Sequence, residues 1–121
     1  MKTRTALVVS LALLGVAAPA HAVNMFAGPL FAITGDGCEC KLVNITTAAK
    51  TVRIQLIRED GVVINDSFNI SIPAGRGTTI TGGNAGAQFC KFTNAAPAYF
   101  RGTISCFGTP NDTDTVAVPA H

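Results

Sequence analysis

Residues 51–65 read TVRIQLIREDGVVIN, and this stretch decides the fold class. In its first half, apolar residues at positions 52, 54 and 56 alternate with polar ones, the period of two that indicates a half-buried β-strand. Glu59-Asp60-Gly61 follows, and Asp-Gly between two apolar runs is a strong signal for a hairpin turn. Residues 62–65 then return as the next strand. The stretch therefore predicts antiparallel β-structure.

The same kind of pattern recurs on both sides of this hairpin. Further extended segments are predicted at residues 40–47, 68–72, 78–81, 88–93 and 99–107. In the segment 68–72 the apolar residues Phe68, Ile70 and Ile72 alternate with Asn69 and Ser71. The chain is rich in Thr, Val, Ile, Gly and Asn, which favours strands joined by turns, and no stretch has helical spacing over three turns. These features predict an all-β chain, an antiparallel β-sandwich of about seven strands.

The N-terminal segment has the design of an export signal. Lys2 and Arg4 form a positive region, an apolar run extends from Ala6 to Ala18, and Ala20-His21-Ala22 is a small-x-small cleavage site. The apolar run is shorter than the roughly 20 residues that a membrane-spanning helix needs. The sequence therefore predicts a periplasmic or secreted protein, with no membrane insertion once the signal is removed.

Removal of the signal changes the charge balance. The full chain has nine Lys and Arg against seven Asp and Glu, and loss of Lys2 and Arg4 leaves seven of each. A neutral chain with scattered charges lacks the basic patch that binds nucleic acid or an anionic membrane. Neither is expected as a partner, and the expected partner is an unidentified protein or small ligand.

The chain divides into four predicted segments: a signal peptide (1–22), an apolar N-terminal arm (23–37), a disulfide-stapled sandwich (38–108) and a tail or edge strand (109–121). The arm contains Met25-Phe26 and the run 30–33. It is expected either to cover its own sandwich as an edge strand or strap, or to add as a strand to another subunit, giving self-association.

Four cysteines follow the signal: Cys38, Cys40, Cys90 and Cys106. In an exported chain an even number of cysteines favours disulfides. The last two strands are expected to pair as neighbours, with Phe92 opposite Ile104 and hence Cys90 opposite Cys106. Two long-range bridges from Cys38 and Cys40 to that hairpin fit these spacings, whereas a Cys90–Cys106 bridge would leave Cys38 and Cys40 in a strained ring.

A resemblance covers most of the mature chain. The segments CKLVNIT (40–46), TVRIQLIREDG (51–61), IPAG (72–75), FCKF (89–92) and RGTI (101–104) resemble small exported bacterial proteins whose function is not established. Those proteins are predicted immunoglobulin-like or fibronectin-like sandwiches, so the resemblance implies an antiparallel immunoglobulin-like β-sandwich of about seven strands, preceded by the cleavable signal peptide. The resemblance implies a Cys40–Cys90 bridge, which leaves Cys38 for Cys106, and it implies no functional residues. The chain lacks the core Trp of a true immunoglobulin domain.

The sequence offers no catalytic residues, no cofactor-binding residues and no metal ligands. A blue-copper site needs two His, a Cys and usually a Met, but beyond the signal there are only His121 and Met25. A Ser or Cys nucleophile would have only His121 as its base. The acids Glu59 and Asp60 fall in a predicted turn, Asp36 and Glu39 flank the first cysteines, and residues 111–114 lack the pattern of a calcium loop.

The function predicted from the sequence is therefore that of an exported, non-catalytic binding or structural module without cofactors. The alternative is an envelope or pilus-like assembly subunit that uses its N-terminal arm for strand addition. A small secreted hydrolase is a third possibility, which the absence of a well-placed base disfavours.

Overall fold

A computed structural model describes residues 23–32, 37–83, 86–107 and 115–121 of the chain. The predicted signal peptide lies outside the described residues. All regular structure in the described part is β-strand. No helix among these residues is long and apolar enough to cross a membrane. The strands described are β1 (Asn24–Ala32), β2 (Cys38–Asn44), β3 (Lys50–Arg58), β4 (Val63–Ile72), β5 (Gly77–Gly82), β6 (Gly86–Thr93), β7 (Phe100–Phe107) and β8 (Thr115–Pro119).

The described strands form two four-stranded sheets in which every pairing is antiparallel. Sheet 1 has the order β1-β6-β3-β4, and sheet 2 has the order β5-β2-β7-β8. The predicted all-β class is therefore confirmed. The two sheets also include strands on both sides of the range 38–108 predicted for the sandwich. β1 precedes that range and β8 follows it, and each is an edge strand.

The core lies between the two sheets and follows from the alternation in the sequence. In β3 Val52, Ile54 and Leu56 are fully buried and face the core, while Arg53 and Gln55 face out. The largest side chains between the sheets are fully buried: Met25, Leu42, Ile54, Phe92, Phe100 and Ile104. Burial of such side chains contributes roughly 1.5–3 kcal/mol each. The period of two therefore sets which face of each strand stabilises the fold.

The β3–β4 hairpin has the turn that its sequence predicts. Gly61 has φ +89°, a conformation that glycine adopts without a steric penalty. The Arg58 amide donates to the Val62 carbonyl at 2.8 Å and closes the turn. The Asp60 carboxylate accepts a hydrogen bond from the Val62 amide at 3.2 Å. Asp60 thus stabilises a turn, the role that its position in the sequence favours.

The expected pairing of the last two predicted strands is wrong. β6 belongs to sheet 1 and β7 to sheet 2, so Cys90 and Cys106 are not cross-strand neighbours. The connection between them, residues 94–99, carries the chain from one sheet to the other, with Asn94 at φ +63° and Ala95 buried. Alternation identifies the inward face of each strand, but it does not identify the neighbouring strand.

The N-terminal arm is an edge strand of its own sandwich. β1 pairs with β6, and Met25, Ala27 and Ala32 are buried in the core. The C-terminal residue His121 exchanges both backbone hydrogen bonds with Phe26, at 3.0 and 3.1 Å. The β1 edge of sheet 1 and the β8 end of sheet 2 are thereby joined at this point. The arrangement matches the first of the two alternatives for the arm.

Candidate binding surface

Two disulfides fix the relative positions of the sheets. Cys40 of β2 is bonded to Cys90 of β6, with a Cα–Cα distance of 5.8 Å, and this bridge crosses the core from sheet 2 to sheet 1. Cys38 is bonded to Cys106, its partner in the β2–β7 ladder, with a Cα–Cα distance of 4.0 Å. This is the pairing that the family resemblance implies. The described residues contain no free cysteine, and two buried disulfides indicate an oxidising, non-cytoplasmic compartment.

The acidic residues considered from the sequence do not converge. Glu59 and Asp60 are exposed in the β3–β4 turn, and Glu39 lies on the outer face of sheet 2. Hydrogen bonds from Arg58 hold the pKa of Asp60 below its usual value. Asp36 and residues 111–114 lie outside the described residues. Within the described ranges, no group of three or more His, Cys, Asp or Glu side chains could hold a metal ion.

Neither of the two remaining candidate ligands belongs to a metal-binding group of the described residues. Met25 is 1% exposed, within the hydrophobic core, and His121 is exposed at the C-terminus. The backbone of His121, rather than its imidazole, makes the described contact with β1. Neither residue therefore forms a copper site with the cysteines, which are both buried and disulfide-bonded.

An open depression of about 270 Å³ lies at one end of the sandwich. Its lining includes Lys50, Thr51, Asn94 and Tyr99, and the Lys50 ammonium lies 4.6 Å from the centre of the Tyr99 ring. This contact pairs the cation with the aromatic ring and leaves no acid–base pair in the depression. The geometry lacks the convergent polar groups of an enclosed ligand site.

The outer face of sheet 1 carries exposed apolar side chains beside polar ones such as Arg53, Gln55 and Lys91. We call it the aromatic face and define it by the outward side chains Phe26, Phe31, Ile57, Val63, Phe68 and Phe89. The two most exposed are Phe31 at 72% and Phe68 at 66%. The rings of Phe26 and Phe89 lie 6.5 Å apart, within the range of an aromatic pair. Aromatic side chains grouped on one face are typical of protein interfaces.

Phe68 is presented by a β-bulge in the edge strand β4. Arg53 is opposite Asn69 and Gln55 is opposite Asp66, so Ser67 and Phe68 together face the single residue Ile54. Phe68 has φ +53°, a conformation that costs a bulky residue on the order of 1–2 kcal/mol. The extra residue reverses the alternation of residues 68–72 at this position, so Phe68 lies in solvent although Ile70 and Ile72 pack in the core.

Side chains on both strands hold the bulge. The Ser67 hydroxyl accepts a hydrogen bond from the Ile54 amide at 2.8 Å, which replaces the backbone partner that the bulge removes. The Asp66 carboxylate accepts one from the Phe68 amide, also at 2.8 Å. It also accepts two from the Arg53 guanidinium, at 3.0 and 2.5 Å, and one from the Gln55 amide at 3.2 Å. The strained residue is thus over-determined by its surroundings.

The same network sets the electrostatics of the aromatic face. The Arg53 guanidinium holds the pKa of Asp66 below its usual value, against the opposing effect of burial. The Asp66 side chain is 13% exposed and that of Arg53 is 39% exposed. The guanidinium carbon also lies 5.3 Å from the centre of the Phe68 ring. Arg53 therefore neutralises Asp66 and orders the exposed ring at the same time.

The outer face of sheet 2 has a different chemistry. Its ladder rows are Thr81–Glu39–Ser105, Thr79–Lys41–Thr103 and Gly77–Val43–Arg101. Hydroxyl groups and charges alternate across it. Among the described residues of this face, the exposed aromatic side chain is that of Phe107 at the end of β7. Such a surface is suited to water rather than to an apolar partner.

Asn44 is a structural residue that the sequence reasoning missed. It begins the triplet Asn44-Ile45-Thr46, which matches a glycosylation acceptor, but its side chain is fully buried. Its amide donates to the carbonyls of Ala48 and Ile72, at 2.8 and 3.0 Å, and its oxygen accepts from the Thr46 amide and hydroxyl, at 2.9 and 2.7 Å. Its place at the end of an apolar alternation was the signal available in the sequence.

Comparisons with known proteins support the fold. No protein-family model matches the chain, and no curated protein is similar to it in sequence. A crystal structure of Thermotoga maritima 1070 is similar to it, with a TM-score of 0.52 and 11% sequence identity. The similarity covers 81% of this chain and 91% of that one. At this identity the likeness concerns the fold alone.

Proposed function

We propose that the protein is an exported, non-catalytic binding module of immunoglobulin-like topology that uses its aromatic face to bind an apolar surface of another protein. The observation that carries the proposal is the bulge at residues 66–68. It places a strained phenylalanine in solvent and fixes it with an ion pair and hydrogen bonds. Strain that the surroundings maintain without a benefit to the core is a reason to infer function.

The strand arrangement supports the immunoglobulin-like part of the proposal. In that topology the second strand lies beside the fifth in one sheet, the third beside the sixth in the other, and a disulfide joins the second to the sixth. Here β2 lies beside β5, β3 lies beside β6, and Cys40–Cys90 joins β2 to β6. The arrangement departs from the constant-type pattern in three places: β1 lies beside β6, β7 lies beside β2, and β4 lies beside β3 instead of β5.

The chemistry of the aromatic face favours a protein as its partner. Its acid, Asp66, is paired with Arg53, and the cation Lys91 lies between Phe26 of β1 and Gln55 of β3. Aromatic residues and arginine dominate the binding energy of protein interfaces. A nucleic acid or an acidic ligand would need a group of unpaired cations instead.

Photo-crosslinking in the natural compartment tests this proposal. Benzoylphenylalanine would replace Phe31 on the aromatic face and, as a matched control, Phe107 on the outer face of sheet 2. Position 31 should give a discrete adduct with another protein, and position 107 should not. Phe68→Ser in the same chain should abolish the adduct. Equal labelling from both positions, or an adduct of twice the chain's mass, would contradict the proposal.

The proposed alternative, an assembly subunit that donates its arm, requires β1 to leave its own sheet. Departure would expose the sites of Met25, Ala27 and Ala32, all buried in the described fold. A subunit of this kind should form dimers whose exchange is slow and is accelerated by mild denaturant. Rapidly reversible monomers and dimers would argue against arm exchange.

A further inference from the structure

The four edges of the two sheets are not equally protected. β1 contains Pro29 and a register irregularity between Ala27 and Leu30, and its Phe26 backbone is paired with His121. β8 ends at Pro119 beside that contact. β4 contains the bulge at residues 66–68. Proline, bulges and covered backbone are the devices that stop sheet edges from pairing with other chains.

The remaining edge, β5, has no proline and no bulge, and its backbone is covered at Thr81, whose carbonyl accepts a hydrogen bond from the Asn65 side chain. Its sequence, GTTITG, contains no charge and no proline, and its pairing with β2 runs without a register shift from Gly82 to Gly77. Four of its six residues are β-branched, the residue class that favours extended structure. By the rules that govern edge strands, β5 is open to an added strand.

The direction of the backbone groups in β5 follows from two contacts. The Asn44 amide of β2 donates to the Arg76 carbonyl, so residue 76 faces β2. The Thr81 carbonyl instead accepts from the Asn65 side chain of β4 at 2.7 Å, so residue 81 faces away from β2. Because these directions alternate, Gly77 and Thr79 also present their N–H and C=O groups to the open side.

We propose that the β5 edge pairs with the β5 edge of a second copy of this chain. Around a two-fold axis at Thr79, antiparallel pairing sets Thr79 opposite its own equivalent and Gly77 opposite Thr81 of the other copy. Every outward backbone group of these residues then gains a partner, with Thr81 shared with Asn65. The two copies of sheet 2 become one continuous eight-stranded sheet.

The side chains of β5 fit this register. On the outer face Thr79 meets Thr79 of the other copy, and a cross-strand Thr–Thr pair is favourable. On the inner face Thr78 meets Ile80, which already packs against the core. Glu39 and Lys41 lie one strand further back in β2. Arg76 precedes β5 and is opposite Gly82 of the other copy in this register, so no like charges are directly opposite. The mature chain carries equal numbers of acids and bases, so net repulsion does not oppose association.

A charge-pair experiment on the full exported, oxidised protein tests the proposed dimer. Sedimentation equilibrium would be measured up to about 1 mM protein for the wild type, Thr79→Lys and Thr79→Glu. Each variant alone places like charges opposite each other at the two-fold axis, so its dissociation constant should rise about fivefold or more. An equimolar mixture of the two variants should recover association as a heterodimer, which native mass spectrometry distinguishes by mass.

The matched control is Thr103→Lys, which adds the same charge to the outer face of sheet 2 in an interior strand. This variant should dimerise like the wild type. A monomeric wild type would overturn the proposal. So would Thr79 variants that dimerise unchanged, as they would if the dimer formed through β1 or the aromatic face, and so would a mixture that fails to associate.

Discussion

The outer faces of the two sheets differ in the chemistry of their side chains and in the regularity of their strands. Sheet 2 covers its outer face with threonine, serine and charges along regular ladders. Sheet 1 displays phenylalanines, and its edge strand β4 is distorted so that one of them stays in solvent. Local rules of β-structure are obeyed in sheet 2 and broken in sheet 1. Natural proteins break such rules mostly at functional sites, which is why the two faces receive different roles here.

The largest expected effect comes from breaking the covalent link between the two sheets. The double substitution Cys40→Ala and Cys90→Ala should lower the free energy of unfolding by about 4 kcal/mol, because the bridge closes a long loop of the unfolded chain. The measurement is urea unfolding of the oxidised protein, with the intact wild type as reference. A loss below about 1 kcal/mol would show that this bridge contributes little to holding the sheets together.

The second link between the sheets is polar. Asn44 belongs to sheet 2 and donates to the Ile72 carbonyl of sheet 1. Asn44→Ala should cost about 2–3 kcal/mol, because it leaves buried backbone groups without partners. Asn69→Ala, on the exposed side of β4, is the control and should stay within about 0.5 kcal/mol of the wild type. Equal effects of the two substitutions in thermal or urea unfolding would contradict the structural role of Asn44.

A smaller effect separates the strain at Phe68 from its contacts. Phe68→Gly and Phe68→Ala both remove the ring and its contact with Arg53, but only glycine adopts a positive φ without a penalty. The glycine variant should therefore be more stable than the alanine variant by about 1 kcal/mol. The same pair of substitutions at Phe26, where the strand is regular, should favour alanine. An identical preference at both positions would remove the case for strain.

The smallest effect concerns pH. Because Arg53 lowers the pKa of Asp66 in the folded state, the carboxylate stabilises the fold above the usual Asp pKa of about 4. That contribution is lost as the pH falls through the lowered folded-state value. The stability difference between the wild type and Asp66→Asn should therefore shrink between pH 7 and pH 3. Asp60→Asn, in the exposed turn, should show the same sign with a smaller change, and a pH-independent difference for Asp66 would contradict the network.

The sequence predicts what depends on neighbours along the chain. The β3–β4 hairpin and the inward faces of β3 and β6 follow from alternation and from the Asp-Gly turn. The edge strand at residues 115–119 belongs to a segment proposed as a tail or edge strand. These features need no knowledge of which strands meet in space.

What the sequence could not supply depends on long-range geometry. Phe92 and Ile104 are both buried, but they lie on opposite sheets. The sequence of the 94–99 loop contains no signal that the chain crosses from one sheet to the other. Phe68 follows the apolar alternation, and only the register opposite Ile54 reveals the extra residue. Pattern analysis therefore does not predict the candidate binding surface, because apolar alternation assigns Phe68 to the core.

The most direct test of the binding face combines stability and binding in one variant. Phe68→Gly would be studied in the full oxidised chain with the photo-crosslinker at position 31, and its unfolding would be measured alongside. The variant should keep its fold and roughly its stability, because the relieved strain offsets the lost ring contact. The adduct should disappear. A folded Phe68→Gly variant that still gives the full adduct would contradict the claim that the bulge exists to present this ring.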